Sequence, residues 1–442
     1  MTNFKATRPQ STTGRIETCL EENEIGMIQS IRGFRDILPG ETERWRTIEK
    51  TASELLEFFG FREIRIPVLE KTELFCRSIG ETTDIVEKEM YTFPDRKGDM
   101  LTLRPEATAS VVRAYIQHQL FAATPVQKLY TIGPMFRRER PQKGRYRQFY
   151  QINAEVFGIA SPLVDAQILF MLTSLLDRLG ILDCTVHLNS LGCPACRAGF
   201  KDSLKTMLHD RLDRLCEDCR KRADRNPLRV LDCKVPGCRE ALQDSPSMID
   251  HLCDDCREHF DAVRRHLEAL SVSYTLDHRL VRGLDYYTRT TFEIQTAHLG
   301  AQSAVIGGGR YDGLVKALGG PEIPGIGFAI GLDRLVEIHA LVQEVRQTHP
   351  RVFFCALGED AQRMASEWIC RLAVEGIEAS MDYSGRSLKS QMKQADRSEA
   401  PMVVMLGDNE LAEGQAVIRD MSDKTQRKVP MEGLLDLIRS AA

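Results

Sequence analysis

Phe136-Arg-Arg-Glu-Arg-Pro-Gln-Lys-Gly-Arg-Tyr-Arg-Gln-Phe149 places six cations in the eleven residues from Arg137 to Arg147. Strand-like stretches flank it at 128–132 and 149–156, and Pro141 and Gly144 interrupt its centre, so it reads as a loop between two strands. Guanidinium groups take phosphate oxygens two at a time, and a rigid hairpin holds several of them at fixed distances. A solvated basic loop is the ordinary alternative for such a run.

The surroundings of the loop define the fold class. A helix pattern from Glu41, with Trp45, Ile48, Leu55, Phe58 and Phe59 apolar, ends at Gly60 and feeds the β-branched run Ile64-Arg-Ile-Pro67-Val. Proline inside a strand run demands an edge or interface position, which makes this stretch a candidate subunit contact. Strands are also expected at 100–103, 291–295, 304–306 and 327–330, and a helix from Ser161 to Leu179 with Gly180 as its stop. Antiparallel-looking strands broken by long loops make this an α+β block rather than a doubly wound one. From Val352 the pattern alternates strand (352–357), helix, strand (377–381), helix, strand (402–406), a small α/β domain of its own. Residues 1–26, rich in Thr, Ser, Asn and Glu without apolar periodicity, read as a disordered extension, and folded sequence begins at Met27.

The chain has 442 residues, 43% hydrophobic and 28% charged, with a formal net charge of −4, so a nucleic-acid surface must come from local patches. No run of about 18 apolar residues is present, and the polar stretch from Met1 to Asn23 lacks the apolar region of a secretory signal. A cytoplasmic protein with no membrane partner is expected. Eight of the thirteen cysteines fall between Cys193 and Cys256, a pattern of metal ligands or reduced thiols in a long cytosolic chain.

Two further pieces bear on the basic loop. Gly325-Ile-Gly327-Phe-Ala-Ile-Gly331-Leu-Asp333-Arg334 reads as a strand whose glycines let a flat ligand approach the backbone, followed by an arginine on a helix. Gly307-Gly-Gly-Arg310-Tyr311 reads as a turn bringing backbone near a small ligand. Each alone is ordinary close packing or a tight turn. Together and in this order they resemble the class II aminoacyl-tRNA synthetases. The run around Pro67 is similar to motif 1 of that family, 136–149 to motif 2 and 325–334 to motif 3. Arg282-Gly-Leu-Asp-Tyr286-Tyr287-Thr and Gly307-Gly-Gly-Arg-Tyr311-Asp-Gly-Leu resemble the two motifs peculiar to histidyl-tRNA synthetases. Asp333 stands where glutamate is usual, a change that keeps the charge.

The resemblance, which runs from about Ile31 to the C-terminus, implies a fold and a set of roles. The fold would be an antiparallel-sheet catalytic domain in two parts, 27–190 and 271–345, with a helical cysteine-rich insertion at 191–270 and an α/β anticodon-binding domain at 350–442. The enzyme would activate L-histidine with ATP and Mg²⁺ and charge tRNA(His), as a homodimer. Arg137 would hold the ATP α-phosphate, and Arg145 and Arg334 the γ-phosphate. Arg282 would be a fixed cation on the far side of the α-phosphate. Glu106, Thr108 and Gln151 would take the amino group of histidine, while Glu155 with Tyr286 and Tyr287 would recognise the imidazole; Tyr311 lies in the second histidine motif. Read without the family, Glu106 is a helix-start carboxylate, Glu155 an ion-pair partner and the tyrosines core.

Cys193/Cys196, Cys216/Cys219 and Cys253/Cys256 have CxxC spacing, and Cys233 pairs with Cys238. Eight thiolates suffice for one or two tetrahedral Zn²⁺ sites, structural rather than catalytic; buried reduced thiols are the alternative. Near the C-terminus Arg386 precedes a row of Lys389, Lys393 and Arg397 along one helical face, either a solvated face or a contact for tRNA phosphates. Two rival functions remain at this level. A regulatory subunit of ATP phosphoribosyltransferase resembles the catalytic part but lacks the C-terminal domain, and a zinc-containing nucleic-acid-binding protein would account for the cysteines alone.

Overall fold

Eight strands of the first unit form one sheet. In chain order the strands are β1 (Arg62–Glu63), β2 (Leu69–Lys71), β3 (Tyr91–Pro94), β4 (Met100–Leu103), β5 (Gln127–Phe136), β6 (Gln148–Phe157), β7 (Cys184–Ser190), β8 (Tyr274–Leu276), β9 (Thr288–Thr296), β10 (Ala304–Arg310) and β11 (Gly325–Gly331). The large sheet runs β1-β5-β6-β11-β10-β9-β7-β8, and β2-β4-β3 make a small second sheet. Every neighbour from β5 to β7 is antiparallel, and only the outermost strands, β1 and β8, join in parallel. The computed structural model describes residues 27–80, 83–142, 144–298, 304–345 and 349–440; the expected extension 1–26 and Lys143 of the basic loop lie outside them.

The expected helices form, although Phe58, read as part of the first helix's apolar face, is 77% exposed and Phe59 lies just past the helix end. Helix Thr42–Phe58 buries Trp45, Ile48, Ala52, Leu55 and Leu56, one stripe at helical spacing, and ends where Gly60 takes a positive φ of 85°. Helix Pro162–Arg178 starts with Pro162 at its first position and the Ser161 hydroxyl accepting the Leu163 N–H at 3.3 Å.

Two local readings are corrected. Pro67 lies in no strand: β1 stops at Glu63, and the irregular stretch after it is held by Arg104, whose Nη1 donates to the Ile66 and Pro67 carbonyls at 2.8 and 3.2 Å. The edge position survives, because β1 is the outermost strand. Gly307–Arg310 is strand β10 rather than a turn. The strands also run longer than apolar alternation indicates, since β5 continues through Gly133-Pro134. It can do so because β1 reaches only Leu129 and Tyr130, so among the described residues no strand faces Pro134 on that side. Arg104 Nε donates to the Pro134 carbonyl there at 2.9 Å, and a Cβ on Gly133 would lie 2.6 Å from Arg104 Nη2.

Between β7 and β8 the chain forms helices Pro194–His209, Glu217–Arg225, Pro236–Ala241 and Asp254–Ala269. Their apolar faces are not a separate core: Phe200, Leu204 and Phe260 belong to the same buried cluster as Leu169 and Ile294. A second compact unit begins at Val345. Its sheet, β13-β12-β14-β15-β16, comprises β12 (Val352–Ala356), β13 (Ala379–Met381), β14 (Met402–Leu406), β15 (Gln415–Asp420) and β16 (Gln426–Pro430). The first three are parallel, as the alternation implied, and the antiparallel β15–β16 pair was not read from the sequence.

Candidate active site

The basic segment is a loop between antiparallel strands, as its composition indicated, with Phe136 paired to Gln148 at its base and Gly144 at φ 69° in its bend. Two of the cations inside it, Arg137 and Arg145, are held by neighbouring groups. Arg137 Nε donates to the Pro105 carbonyl at 2.9 Å and its guanidinium lies over the Phe149 ring at 5.3 Å. Arg145 pairs with Glu139 at 2.9 Å, and Arg137 approaches the same carboxylate at 3.8 Å.

Strands β11, β10 and β9 bring the other cations to the same place. Arg334, on the helix after β11, donates to the carbonyls of Gly144 and Ala304 at 3.2 and 2.6 Å. Burial first, and the nearby Arg145 second, hold its pKa below the ordinary arginine value. Arg282 donates through Nη1 to Glu293 of β9 at 2.5 Å, while its Nε is buried without a partner. All four arginines, with Gln151, line one cleft of about 400 Å³. Crowded cations on rigid supports suit an anion bearing several negative charges.

The acids and tyrosines form a buried nest instead. Glu155 is 1% exposed; its Oε1 accepts the Thr108 hydroxyl at 2.6 Å, and its Oε2 accepts the Tyr311 hydroxyl at 2.5 Å. Burial pushes its carboxyl up to about 8 despite those two donors. Tyr286 tilts against Tyr287 with ring centroids 4.8 Å apart and meets Tyr311 edge-on at 5.8 Å. The Tyr286 hydroxyl is buried beside Thr108 and Tyr287 and, among the described residues, makes no well-formed hydrogen bond. Glu106 does start a helix: its carboxylate accepts the Thr108 and Ala109 N–H groups at 2.7 and 2.9 Å. Each of its oxygens retains one lone pair.

The glycines expected to admit a ligand make room for the protein's own side chains. A Cβ on Gly327 would fall 1.7 Å from Glu155 Oε2, one on Gly325 2.3 Å from the Tyr311 ring, and one on Gly307 2.1 Å from Arg282 Nη2. Two acids of the cleft were not singled out in the sequence. Glu139 is the acid hidden in a run noticed for its cations, and Glu293 is a lone charge between Phe292 and Ile294 of a strand. Arg310 is fully buried, with Nη2 2.6 Å from Asp165, and Nη1 and Nη2 donate to the Ile159 and Ser161 carbonyls. Asp333 accepts the Tyr150 N–H at 2.7 Å and faces Arg35 at 3.6 Å, tying the motif to strand β6.

The cysteines separate into two groups of four. Cys193, Cys196, Cys253 and Cys256 form one, Cys216, Cys219, Cys233 and Cys238 the other, and within each group all sulfurs lie within 4.8 Å of one another. Arg386, Lys389 and Lys393 belong to the second unit and are exposed. Lys389 and Lys393 lie on helix Leu388–Arg397, which buries Gln391 and Ala395. Among the described residues no helix is long and apolar enough to cross a membrane.

Comparison with known proteins agrees with this architecture. Residues 33–335 match the family model described as histidyl-tRNA synthetase, and residues 351–441 the anticodon binding domain. A histidine–tRNA ligase of Desulfatibacillum aliphaticivorans is 61% identical over 93% of this chain and 98% of its own, and one of Desulforapulum autotrophicum is 60% identical over 93% and 97%. The apo histidyl-tRNA synthetase of S. aureus superposes with a TM-score of 0.78 at 34% identity, over 93% of this chain and all of that one. With a family model spanning most of the first unit and relatives alike over nearly their whole length, the chain belongs to the histidyl-tRNA synthetase family.

Proposed function

We propose that the protein activates L-histidine with ATP and charges tRNA(His). The observation that carries this reading is the adjacency of a four-arginine cleft and a buried nest of acid and tyrosines in one sheet. The carboxylate oxygen of histidine attacks the α-phosphorus, pyrophosphate leaves, and histidyl-adenylate remains. A hydroxyl at the tRNA 3′ end then attacks the acyl carbon and AMP leaves. Neither step needs a protein nucleophile; both need charge stabilisation and alignment.

In this reading Arg137 and Arg282 flank the α-phosphate, and Arg145 and Arg334 hold the γ-phosphate. Mg²⁺ carried by the incoming ATP would neutralise part of the triphosphate charge. Glu106, Thr108 and Gln151 take the amino group. Glu155, Tyr286, Tyr287 and Tyr311 receive the imidazole, whose two nitrogens find an acid and the Tyr286 hydroxyl, which makes no well-formed hydrogen bond of its own. An analogue lacking one nitrogen leaves that partner buried and unpaired, which is the basis for rejecting it.

The finer features belong to the same proposal. Residues 27–190 and 271–345 form the catalytic domain, 191–270 its insertion and 350–442 the anticodon-binding domain, where Arg386, Lys389 and Lys393 contact tRNA phosphates. The enzyme works in the cytoplasm as a homodimer, for which the exposed Val68, Leu69, Phe93 and Met100 offer apolar surface near the irregular Pro67 stretch and the small sheet. Each four-thiol group takes a structural Zn²⁺.

Histidine-dependent exchange of pyrophosphate into ATP, followed by charging of tRNA, tests the function. Absence of exchange with an intact fold would favour the regulatory-subunit reading, and nucleic-acid binding alone the zinc-module reading. The C-terminal domain match at 351–441 already weighs against the former.

A further inference from the structure

Both cysteine groups lie beside the segment Arg282–Thr288, at opposite ends of it. In the second group the loop between Cys219 and Cys233 carries Asn226 and Arg229. Asn226 Nδ2 donates to both oxygens of Asp285 at 3.2 Å, and Arg229 Nη1 donates to the Arg282 carbonyl at 3.0 Å. Arg222, on the helix Glu217–Arg225 that leads into this loop, anchors it to Asp84 at 2.7 Å, and Cys233 itself lines the arginine cleft. In the first group Arg197 follows Cys196 and donates to the Tyr287 carbonyl at 3.2 Å. Gly192, directly before Cys193, accepts the Arg289 N–H at 2.9 Å.

The thiols suit a metal. Four sulfurs around Zn²⁺ at about 2.3 Å stand roughly 3.8 Å apart; Cys193 and Cys196 are 3.5 Å apart, Cys216 and Cys233 3.9 Å. Cys196 accepts the Cys253 N–H, and Cys238 the Cys216 N–H, both at 3.1 Å. Cys193, Cys216 and Cys253 each sit immediately before a helix, where the dipole favours thiolate.

We infer that the two metals are clasps on the active-site segment, the second aligning Arg282 and Asp285 and the first Tyr287 and Arg289. This rests on the function proposed above for its kinetic part only. A metal that ties Cys219 to Cys233 closes the loop bearing Asn226 and Arg229, so these two are positioning residues whose grip is set before substrate arrives. Loss of the second clasp then acts on the rate of adenylate formation, through Arg282. Loss of the first acts on histidine binding, through Tyr287.

The test combines metal analysis, amide hydrogen exchange and kinetics on the full chain. Protein purified without chelator should hold two Zn²⁺, and Co²⁺ substitution should show sulfur-to-cobalt charge-transfer bands. Cys216→Ser/Cys233→Ser should retain one metal, lose amide protection at 282–285 and lower kcat for pyrophosphate exchange about ten- to a hundred-fold. Cys193→Ser/Cys253→Ser should retain the other metal, lose protection at 287–289 and mainly raise the histidine KM. Asn226→Ala/Arg229→Ala keeps both metals and should reproduce the kcat loss, with no further loss when combined with Cys216→Ser/Cys233→Ser. If a cysteine variant does not fold, the Asn226→Ala/Arg229→Ala variant decides, and normal protection at 282–285 in it overturns the inference. Fewer than two metals per chain, or unchanged protection in folded cysteine variants, also overturns it. If wild-type protein shows no histidine-dependent exchange, the proposed function fails, while metal count and amide protection still judge the clasps.

Discussion

The arginine cleft and the acid–tyrosine nest share one sheet and are built on opposite principles. In the cleft, charge is kept and crowded: Arg137 and Arg334 lean on backbone carbonyls, Arg145 and Arg282 on single carboxylates, and Arg334 is held below its ordinary pKa by burial and by Arg145. In the nest, charge is suppressed, because Glu155 is sealed from water and prefers its proton up to about pH 8. On the function proposed above, the difference teaches how two ligands of opposite demand would be held side by side. A polyphosphate needs preorganised cations that survive without it, whereas an imidazole needs partners left unsatisfied until it arrives.

The largest expected effect comes from removing a cation of the cleft. Arg282→Ala should lower histidine-dependent pyrophosphate exchange by roughly a hundred-fold or more while changing the histidine KM little. An unchanged exchange rate would separate Arg282 from the chemistry and collapse the distinction between the two regions.

Next is the nest's acid. Glu155→Gln should weaken histidine binding by roughly ten-fold or more, measured by calorimetry. It also carries a pH signature. Burial raises the folded pKa from 4.5 to about 8, so the folded state binds more protons than the unfolded between those values. The resulting stability is full below pH 4.5 and is lost as pH rises toward 8. Wild-type protein should lose stability across that window in denaturant titrations, and Glu155→Gln should lose less; identical pH slopes would show that Glu155 ionises freely.

A smaller and more discriminating change is Tyr286→Phe. Its hydroxyl is buried without a well-formed hydrogen bond, so its removal should leave apo stability level or slightly raised while the histidine KM rises several-fold. A clear loss of apo stability would mean the hydroxyl is already bonded and is no vacancy for imidazole. The smallest effect is that of Lys389→Glu, an exposed residue of the second unit. Pyrophosphate exchange should stay at the wild-type rate and only the KM for tRNA should rise; a fall in exchange would deny the row its separate role.

Much of the fold was legible because it rests on periodicity and punctuation. The stripe from Trp45 to Leu56, the Ser161-Pro162 start and the alternation after Val352 each state a local preference that packing did not override. The failures were also local. The strand read at 128–132 stopped short of Pro134, which only the shortness of β1 makes tolerable; the three glycines at 307–309 looked like a turn, and the strands on either side extend them. In the site the cations stood out by density, but their counterparts did not. Glu139 was submerged in a basic run, and Glu293 and Asp165 are ordinary acids until β9 and the helix after Ser161 bring them to Arg282 and Arg310.

The sequence by itself determined the family, the α+β class, the order of the motifs and the presence of eight paired thiols, because these depend on residue type and spacing along the chain. Only the tertiary structure decided which thiols share a group, that Gly307, Gly325 and Gly327 clear space for Arg282, Tyr311 and Glu155, and that Glu155 is an acid kept neutral by burial. Those are properties of proximity and exclusion of water, which arise when strands distant in sequence pair, and no single segment carries them.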